Sequence, residues 1–543
     1  MKLGYLNLIG PLAVFVSGCA DDGTAQSESD ASTSSTTSET SADAATLEVT
    51  SVDTTATTTI DPDTSTTASA SATATGTTTG EPIEVQAEVV TYDSQPMVAD
   101  LTLTLSAAGD SADVNHISDA GVVISPLAGG DDTHLLYRVR GLAPGTAHSL
   151  QFTVLPTGGG TPVDGAVDFE TPAALPAYIG AFALETTDVD PAPLYRLSDW
   201  NPFPVGDFAG AMMVDPAGIT RWYLSAPSVL AGPPAVWVGV KLRADGTIVH
   251  LVDDTFFIRD ELGTIVSEIP ATDLGLGVLH HDVHELPNGN FMALSMAFEE
   301  VDYADLGVTN VAGDVLVEFT PEGEVVWLWD AFDHLDPQRR RANFDDQLID
   351  PLTNLTASDW THANGFTYDD VADTVTLSMR HQDWIIQIDR ATGDVLWRLG
   401  DGGDFALADG DPWFFHQHSP QWQADGSLLL FNNGNGDPDT APADQRSHAV
   451  RYALDFDLMT ASVAWQDDET SLQVPFAGDA DTIDGGHILV TDSSIFGPTG
   501  LYSRLRELAV GNDPERIWMM TTPDNRWIYR TTAHPRLVGQ PLE

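Results

Sequence analysis

Lysine and arginine are scarce in this sequence. Only 22 of its 543 residues are Lys or Arg, against 81 Asp and Glu, which gives a formal net charge of −59. The stretch between Lys2 and Arg138 has none at all. The phosphate backbone of nucleic acid and anionic membrane surfaces repel such a chain. We therefore expect no nucleic-acid partner, and an anionic substrate could bind only where the few Arg and His residues concentrate.

Cysteine is nearly absent as well, because Cys19 is the only one. An intrachain disulfide is therefore excluded. The apolar run from Leu6 to Val16 is too short to span a bilayer, and the following Val16–Cys19 resembles a bacterial lipobox. The resemblance implies that residues 1–19 are a lipoprotein signal peptide and that Cys19 is lipidated. An ordinary secretory signal is the alternative.

Lipidation of Cys19 would place the protein outside the cytoplasm. We expect an exported protein, anchored to the bacterial cell envelope and touching the membrane only through its N-terminal lipid. Ala20, rather than an aspartate, follows the cysteine, which favours the outer membrane over the inner one.

Large apolar side chains are missing from residues 20–81, which consist mostly of Ser, Thr, Ala and Asp. Such a segment cannot bury enough surface to offset its conformational entropy. We therefore predict a disordered linker that holds a folded body away from the membrane.

Alternating apolar and polar residues begin after this linker, for example in Val98–Leu105 and His134–Arg140, and indicate β-strands. The segment Gly141–Leu150 resembles a corner of fibronectin type III domains, where a tyrosine hydroxyl usually bonds back to the backbone. His148 stands where that tyrosine is usual, which leaves the bond open. We predict a fibronectin type III-like β-sandwich over residues 82–174.

Turn signals recur through residues 175–543. One type leads from a glycine into an apolar pair and a tryptophan, and the other places glycine before an apolar strand. The first occurs at Gly323–Trp327, Gly393–Trp397, loosely at Gly218–Trp222 and weakly at Ala461–Trp465, and the second at Pro287–Phe291, Ala424–Leu428 and Asp484–Ile488. Each pair of signals brackets about four strands, the content of one propeller blade. Helical periodicity is weak, so we predict an all-β protein whose residues 175–543 form an about six-bladed β-propeller, preceded by the small β-sandwich and the linker.

Histidine and arginine gather at the ends of strand-like runs within this region. The segments are His280–Asp282, Asp359–Asn364, Arg380–Gln382 and His416–His418. Propeller blades bring their end loops together around a central channel, so distant residues can meet there. Imidazole and guanidinium groups together suit an anionic substrate and a histidine nucleophile.

A metal site is an alternative for part of this set. In a regular strand His280, Asp282 and His284 share one face while His281 points to the other. Three such ligands could bind zinc or another transition metal, although the sequence shows no fourth ligand.

The same segments resemble the bacterial arylsulfotransferase family. The matching motifs are Leu279–Asn290, Asp359–Gly365, Leu377–Gln382, Gln417–Ser419, Leu429–Gly434 and Trp527–Arg530. This resemblance implies that an aryl sulfate gives its sulfuryl group to an enzyme histidine, from which a phenol takes it. It implies no nucleotide sulfate donor, no metal and no other cofactor.

On the matching positions, the resemblance makes His418 the nucleophile. His362 and Arg380 would hold the sulfuryl oxygens, and His281 would act as acid and base toward the phenolic oxygen. Other interpretations stay open: a non-catalytic surface propeller that binds sulfated or phenolic ligands or a partner protein, or a hydrolase in which water replaces the phenol.

Two further groups of residues have two interpretations each. Trp360 and the aromatic run Trp413–Phe415 could receive the aryl group or pack within the blades. Arg339–Arg341 could steer anions toward the channel or be a solvated loop.

Overall fold

The computed structural model describes most of the chain after residue 70. The described residues are 71–76, 83–117, 119, 121–157, 161–172, 182–203, 209–225, 236–467, 469, 471–510 and 515–542. Cys19, the predicted signal peptide and the linker as far as residue 70 lie outside them. Within these ranges there is no helix long and apolar enough to cross a membrane.

The first strands form two sheets around one core. Their bounds are β1 (Ser71–Gly76), β2 (Ile83–Thr91), β3 (Val98–Leu105), β4 (Gly109–His116), β5 (Val123–Pro126), β6 (His134–Arg140), β7 (Ala147–Pro156) and β8 (Val163–Glu170). One sheet has the order β1-β2-β3-β6-β5 and the other β4-β7-β8. Leu101 and Leu103 of the first sheet pack with Leu150 and Phe152 of the second. Strand β1 lies inside the predicted linker 20–81, so regular structure begins earlier than we expected.

His148, at the start of β7, makes the bond that the sequence left open. Its Nε2 lies 2.8 Å from the carbonyl oxygen of Ala143, and its Nδ1 lies 2.9 Å from Nε2 of His116. Because a carbonyl oxygen only accepts, the imidazole N–H of His148 donates to Ala143. The histidine thus ties this corner to the backbone as a tyrosine hydroxyl would.

The remaining strands form six further sheets. Their bounds are β9 (Ala183–Thr186), β10 (Tyr195–Pro202), β11 (Gly210–Val214), β12 (Thr220–Ser225), β13 (Val238–Leu242), β14 (Ile248–Val252), β15 (Thr255–Arg259), β16 (Ile265–Pro270), β17 (His280–Glu285), β18 (Phe291–Tyr303), β19 (Gly307–Phe319), β20 (Val325–Asp330), β21 (Gln347–Ile349), β22 (Thr356–Asp359), β23 (Ala363–Asp369), β24 (Thr374–Met379), β25 (Trp384–Asp389), β26 (Val395–Gly400), β27 (Ala406–Leu407), β28 (His418–Trp422), β29 (Leu428–Asn432), β30 (His448–Asp455), β31 (Thr460–Gln466), β32 (Asp479–Thr482), β33 (Ile488–Phe496), β34 (Leu501–Ala509), β35 (Glu515–Thr521), β36 (Arg526–Trp527) and β37 (Thr531–His534). The α-helix α1 (Ala331–His334) follows β20, and 3₁₀ turns occur at Ala271–Leu274, Ala342–Asp345 and Arg380–Gln382. The all-β prediction is confirmed for the described residues.

We number these sheets 1 to 6 in chain order. Sheet 1 has the order β12-β11-β10, with both β36 and β37 paired to β10; sheets 2 and 4 are β13-β14-β15-β16 and β23-β24-β25-β26. Sheet 3 runs β17-β18-β19, where β19 pairs with both β20 and the β22-β21 hairpin. Sheet 5 is β28-β29-β30-β31-β27, and sheet 6 is β32-β33-β34-β35-β9.

The first strands of successive sheets contact one another. Strand β10 contacts β13, which contacts β17, and the series continues through β23 and β28 to β32. Sheet 6 returns to sheet 1 through contacts between β34 and β36. The C-terminal strands β36 and β37 therefore close a ring of six sheets by pairing with β10.

The recurring sequence signals occupy equivalent places in these sheets. The tryptophans of the first signal lie in strands that come late in their sheets: each strand follows at least two others of the same sheet along the chain. They are Trp222 in β12, Trp327 in β20, Trp397 in β26 and Trp465 in β31. The other turns connect the first two strands of sheets 3, 5 and 6. Their glycines adopt left-handed φ values of 86° at Gly289, 81° at Gly426 and 89° at Gly485, a conformation that favours glycine.

The sandwich docks on sheet 2 through a nearly buried ionic group. Glu261, in the β15–β16 turn, accepts hydrogen bonds from Arg138 Nη1 at 2.6 Å and Arg140 Nε at 2.5 Å. The side chains of Glu261 and Arg140 are 7% and 5% exposed. This contact joins the two parts of the molecule.

Removal of one partner from such a group leaves the other charges poorly solvated. We expect Glu261→Ala to lower the free energy of unfolding by about 3 kcal/mol, as for other broken buried ion pairs. Chemical unfolding followed by tryptophan fluorescence measures the change, with the exposed Glu268→Ala on the next strand as control. Equal stability of the two variants would contradict this account of the contact.

Candidate active site

Three strands that carry or follow the histidines share an irregularity at their first residues. In β17, β23 and β28 the pairing register shifts just after the strand begins. His281 in β17 and Ser419 in β28 have left-handed φ values of 54°, and His362, immediately before β23, has one of 47°. A non-glycine residue in this conformation costs about 1–3 kcal/mol and is typical of functional sites. Bulges of this kind redirect side chains, and here they lie where sheets 3, 4 and 5 meet.

The bulge in β17 changes the expected arrangement of its histidines. His280 Nδ1 lies 2.7 Å from His281 Nδ1, so these neighbours contact each other instead of facing apart. His284 Nε2 instead lies 3.2 Å from Asp282, which also pairs with Arg530 at 2.7 Å. His280, Asp282 and His284 therefore do not form one ligand set.

Among the described residues, one side-chain hydrogen bond fixes His418. Its Nδ1 lies 2.7 Å from Oδ1 of Asn433, while Nδ2 of Asn433 donates to the carbonyls of Val474 and Ala477, both at 2.8 Å. Two carbonyl acceptors fix the orientation of the amide, so its oxygen faces the imidazole. His418 therefore carries its proton on Nδ1.

The other ring nitrogen of His418 is left with its lone pair. His418 is 0% exposed, and no hydrogen bond from a described residue reaches Nε2. Burial lowers the pKa of His418 well below its usual range, and the charges of Arg380, His362 and Arg530 lower it further. The imidazole is therefore neutral at pH 7 and has a nucleophilic nitrogen.

His362 is held by a carboxylate. Its Nδ1 lies 2.5 Å from Oδ2 of Asp359, and its ring stacks on His381 with centroids 4.4 Å apart. His381 Nδ1 in turn lies 3.0 Å from the Asp359 carbonyl oxygen. The Asp359 pairing therefore fixes the orientation of the His362 ring.

Arg380 begins a 3₁₀ turn between β24 and β25. One guanidinium nitrogen donates to Nε2 of His381 at 2.6 Å and another to the carbonyl of Pro475 at 3.2 Å. Burial and the charges of His362 and Arg380 lower the pKa of His381 well below its usual range, so His381 can accept this bond. The guanidinium is thereby oriented in a buried position beside the histidines.

His281 completes the group that the sequence predicted. Its ring lies 5.1 Å from that of His362 and 5.7 Å from that of Tyr529, between centroids. Tyr529 also lies 6.0 Å from the His418 ring. Burial, followed by the charges of His280, His362 and His418, lowers the pKa of His281 well below its usual range. The structure thus brings His281, His362, Arg380 and His418 into one cluster.

Comparison with known proteins places this cluster inside one matched region. The family model described as arylsulfotransferase (ASST) matches residues 187–530, which include all four residues. The chain belongs to the arylsulfotransferase family. The match covers sheets 1 to 6 almost entirely and excludes the sandwich.

Two curated relatives are distant members of the same family. Arylsulfate sulfotransferase AssT of Escherichia coli O6:H1 is 23% identical over 328 residues, and AssT of Lelliottia amnigena is 22% identical over 324. Each alignment covers 49% of this chain and 53% of the relative, so the chain spans about half the length of the curated relatives it matches. A solved protein of unknown function from Bacteroides caccae overlaps 64% of this chain and 100% of its own, with 10% identity and a TM-score of 0.38.

Several residues of the candidate site were not assigned a role from the sequence. The quoted motifs contain Asp359, His381 and Asn433, but the sequence does not show which side chains of the site each of them contacts. Asp314 lies in no motif, and nothing in the sequence marks it. Its place beside His280 follows only from the pairing of β18 with β19.

The candidate aromatic rim packs within the sheets. Trp360 is 1% exposed and donates to the Arg339 carbonyl at 2.9 Å. Phe414 and Trp413 pack against Tyr452, with centroids 5.6 Å and 6.1 Å away. The packing interpretation therefore holds for these three side chains, and Phe415 is buried as well.

The arginine run braces the turn that carries Arg380. Arg339 stacks on Trp384 at 3.6 Å and donates to the Gln382 side chain at 2.5 Å. Arg341 binds Asp383 at 2.8 Å, the residue that follows the turn. These contacts argue against a solvated loop.

One group in the described part of the chain could offer ligands to a metal ion. Ligand atoms of Asp359, His362 and His381 lie within 4.8 Å of one another. A carboxylate and two imidazoles are a donor set that transition metals accept. The hydrogen bonds among these residues already account for their arrangement, because Asp359 accepts from both rings.

Proposed function

We propose that this protein transfers a sulfuryl group from an aryl sulfate to a phenol through a covalent intermediate on His418, without a nucleotide sulfate donor. The observation that carries the proposal is the buried Nε2 of His418, which no hydrogen bond from a described residue reaches and which lies close enough to Arg380 and His362 for their charges to lower the pKa of His418. Membership of the arylsulfotransferase family and the name of the two AssT relatives support it.

Each residue of the cluster has a separate role in such a transfer. The neutral Nε2 of His418 attacks sulfur, which splits one displacement into two easier steps. Arg380 and His362 neutralise the sulfuryl oxygens, because transfer of this kind depends mainly on positioning and charge stabilisation. The planar guanidinium can bind two oxygens at once. His281 gives a proton to the departing aryl oxygen and takes one from the attacking phenol.

We further infer that the six sheets are the blades of a six-bladed β-propeller. The ring of contacts between their first strands and its closure through β36 and β37 support this architecture. The bulged starts of β17, β23 and β28 would then line one mouth of the central channel. Residues 82–174 would act as a fibronectin type III-like spacer, although their order β2-β3-β6-β5 against β4-β7-β8 also fits constant-type immunoglobulin domains.

We propose an exported protein that is anchored to the cell envelope through lipidated Cys19. The lipobox-like segment and the Ser/Thr-rich linker support this location. The expected partners are an aryl sulfate and a phenol, and the net charge of −59 argues against nucleic acid.

A transfer assay with the full chain tests the function. The protein is incubated with 4-nitrophenyl sulfate, with and without phenol, and nitrophenol, phenyl sulfate and free sulfate are quantified. We expect one phenyl sulfate for each nitrophenol released. Release of free sulfate alone would indicate a hydrolase, and absence of both products would favour a binding protein.

A further inference from the structure

A buried carboxylate lies behind His281 that the proposed mechanism does not use. Asp314, in β19, is 1% exposed. Its Oδ1 lies 3.3 Å from Nε2 of His280, and its Oδ2 accepts from the backbone N–H of Ala363 at 2.6 Å and from the Thr361 hydroxyl. Asp314 is therefore fixed by the segment that leads into β23 and aimed at His280.

The hydrogen bonds of His280 set the protonation of His281. Nε2 of His280 donates to the Ser295 carbonyl at 3.0 Å, so it carries a proton. It also lies 3.3 Å from Oδ1 of Asp314, an oxygen that accepts no hydrogen bond from a described residue. A neutral His280 then presents the lone pair of Nδ1, and His281 donates to it from its own Nδ1 at 2.7 Å. Nε2 of His281 is consequently the atom that exchanges a proton with the substrate.

We propose that Asp314 and His280 form a proton relay behind His281, in which Asp314 supplies the counter-charge that lets His281 hold a proton during sulfuryl transfer. The inference rests on the proposed function. Asp314 and His280 are positioning residues, because they act on the substrate only through His281.

Before the first half of the reaction the His280–His281 pair holds one proton more than the neutral pair, so Nε2 of His281 carries an N–H. The relay balances protons over both halves. As the bond between His418 Nε2 and sulfur forms, the aryl oxygen leaves with the S–O electron pair and takes the proton from His281 Nε2. In the second half the phenol oxygen attacks sulfur, the N–S electron pair returns to His418, and the phenol proton moves to His281 Nε2. His281 thus loses and regains one proton in each cycle.

Asp314 stabilises the protonated form of His281. The Nδ1 proton of His281 can pass to His280 Nδ1, and the imidazolium formed there lies 3.3 Å from the Asp314 carboxylate. A charged group buried without such compensation is strongly disfavoured. Burial and neighbouring cations already lower the pKa of His281, so this histidine would otherwise be a poor proton carrier.

The dependence of rate on the leaving group tests the relay in the full chain. Asp314→Asn keeps an oxygen for Thr361 and Ala363 but turns an N–H₂ toward His280. In single-turnover reactions without an acceptor, we expect it to slow the release of phenol from phenyl sulfate, whose leaving group needs a proton, by about 10²-fold or more. The release of nitrophenol from 4-nitrophenyl sulfate, whose leaving group departs without one, should slow by less than about tenfold.

Two further variants make the result specific. His280→Asn leaves an oxygen where His281 donates but breaks the link to Asp314, so we expect the same dependence on the leaving group. The control is Asp302→Asn, an exposed position on the neighbouring strand β18, which should change neither rate.

An equal loss with both donors would indicate a purely structural role and overturn the relay, as would unchanged rates in both Asp314→Asn and His280→Asn. If Asp314→Asn does not fold, His280→Asn alone decides. Failure of the wild-type protein to react with any aryl sulfate would instead refute the proposed function.

Discussion

His418→Asn is expected to abolish sulfuryl transfer, with a loss of roughly 10⁴-fold or more, as for other nucleophile replacements. The asparagine amide can still donate to Asn433 from the place of Nδ1, so local packing is retained. It has no atom in the place of Nε2, however, and cannot form the covalent intermediate. Steady-state release of nitrophenol from 4-nitrophenyl sulfate in the presence of phenol measures the effect.

The matched control is His134→Asn in the sandwich, whose side chain is 52% exposed. It should retain wild-type activity. Residual transfer by His418→Asn within about tenfold of wild type would assign the nucleophile to another residue.

Arg380→Gln should lower the rate by about 10²–10³-fold, because it removes a buried positive charge from the place where sulfuryl charge develops. It should also change the pH dependence. In the wild-type protein Arg380 is one of the charges that lower the pKa of His418, so His418 stays neutral as the pH falls through about 6.5. Without that charge the pKa of His418 rises, and the rate should begin to fall at a higher pH than in the wild-type protein.

Arg380→Lys separates charge from geometry. The ammonium keeps the pKa of His418 low, so the pH profile should stay close to that of the wild-type protein. The rate should still fall, because an ammonium cannot bind two oxygens in the planar geometry of a guanidinium. Rates of nitrophenol release across the pH range give both quantities, and identical pH profiles for the Gln and Lys variants would contradict the assigned role.

The sequence predicted much of the fold because its signals are local. A glycine with left-handed φ marks a tight turn, as at Gly289 and Gly426, and a tryptophan after an apolar pair marks a strand late in a sheet, as at Trp327 and Trp397. Such features depend on a few adjacent residues. The corner at His148 was located in the same way, but only the structure shows that its imidazole reaches Ala143.

The sequence identified the members of the candidate cluster but not the local geometry of its histidines. Motif segments identified His281, His362, Arg380 and His418, and the ring of sheets explains how they meet. A regular strand predicts that His280 and His281 face apart, whereas the bulge at His281 brings them together. Bulges depend on how neighbouring strands pair. The two-residue alternation of side chains along one strand does not reveal that pairing.

The partners of the site depend on tertiary structure. Asn433 reaches His418 from the end of β29, and Asp314 reaches His280 from β19. Neither belongs to a pattern with a fixed spacing from its histidine. Residues of this kind become visible only when the hydrogen bonds of each imidazole are followed to their end.

The most direct test is to trap the intermediate. The full chain is mixed with 4-nitrophenyl sulfate without a phenol, digested at neutral or alkaline pH and analysed by peptide mass spectrometry. This account predicts a mass gain of one sulfuryl group on the peptide that contains His418, fragment ions that place it on that residue, and its loss when phenol is added. A sulfuryl group on a different residue, or transfer to phenol with no labelled peptide at any time, would contradict it.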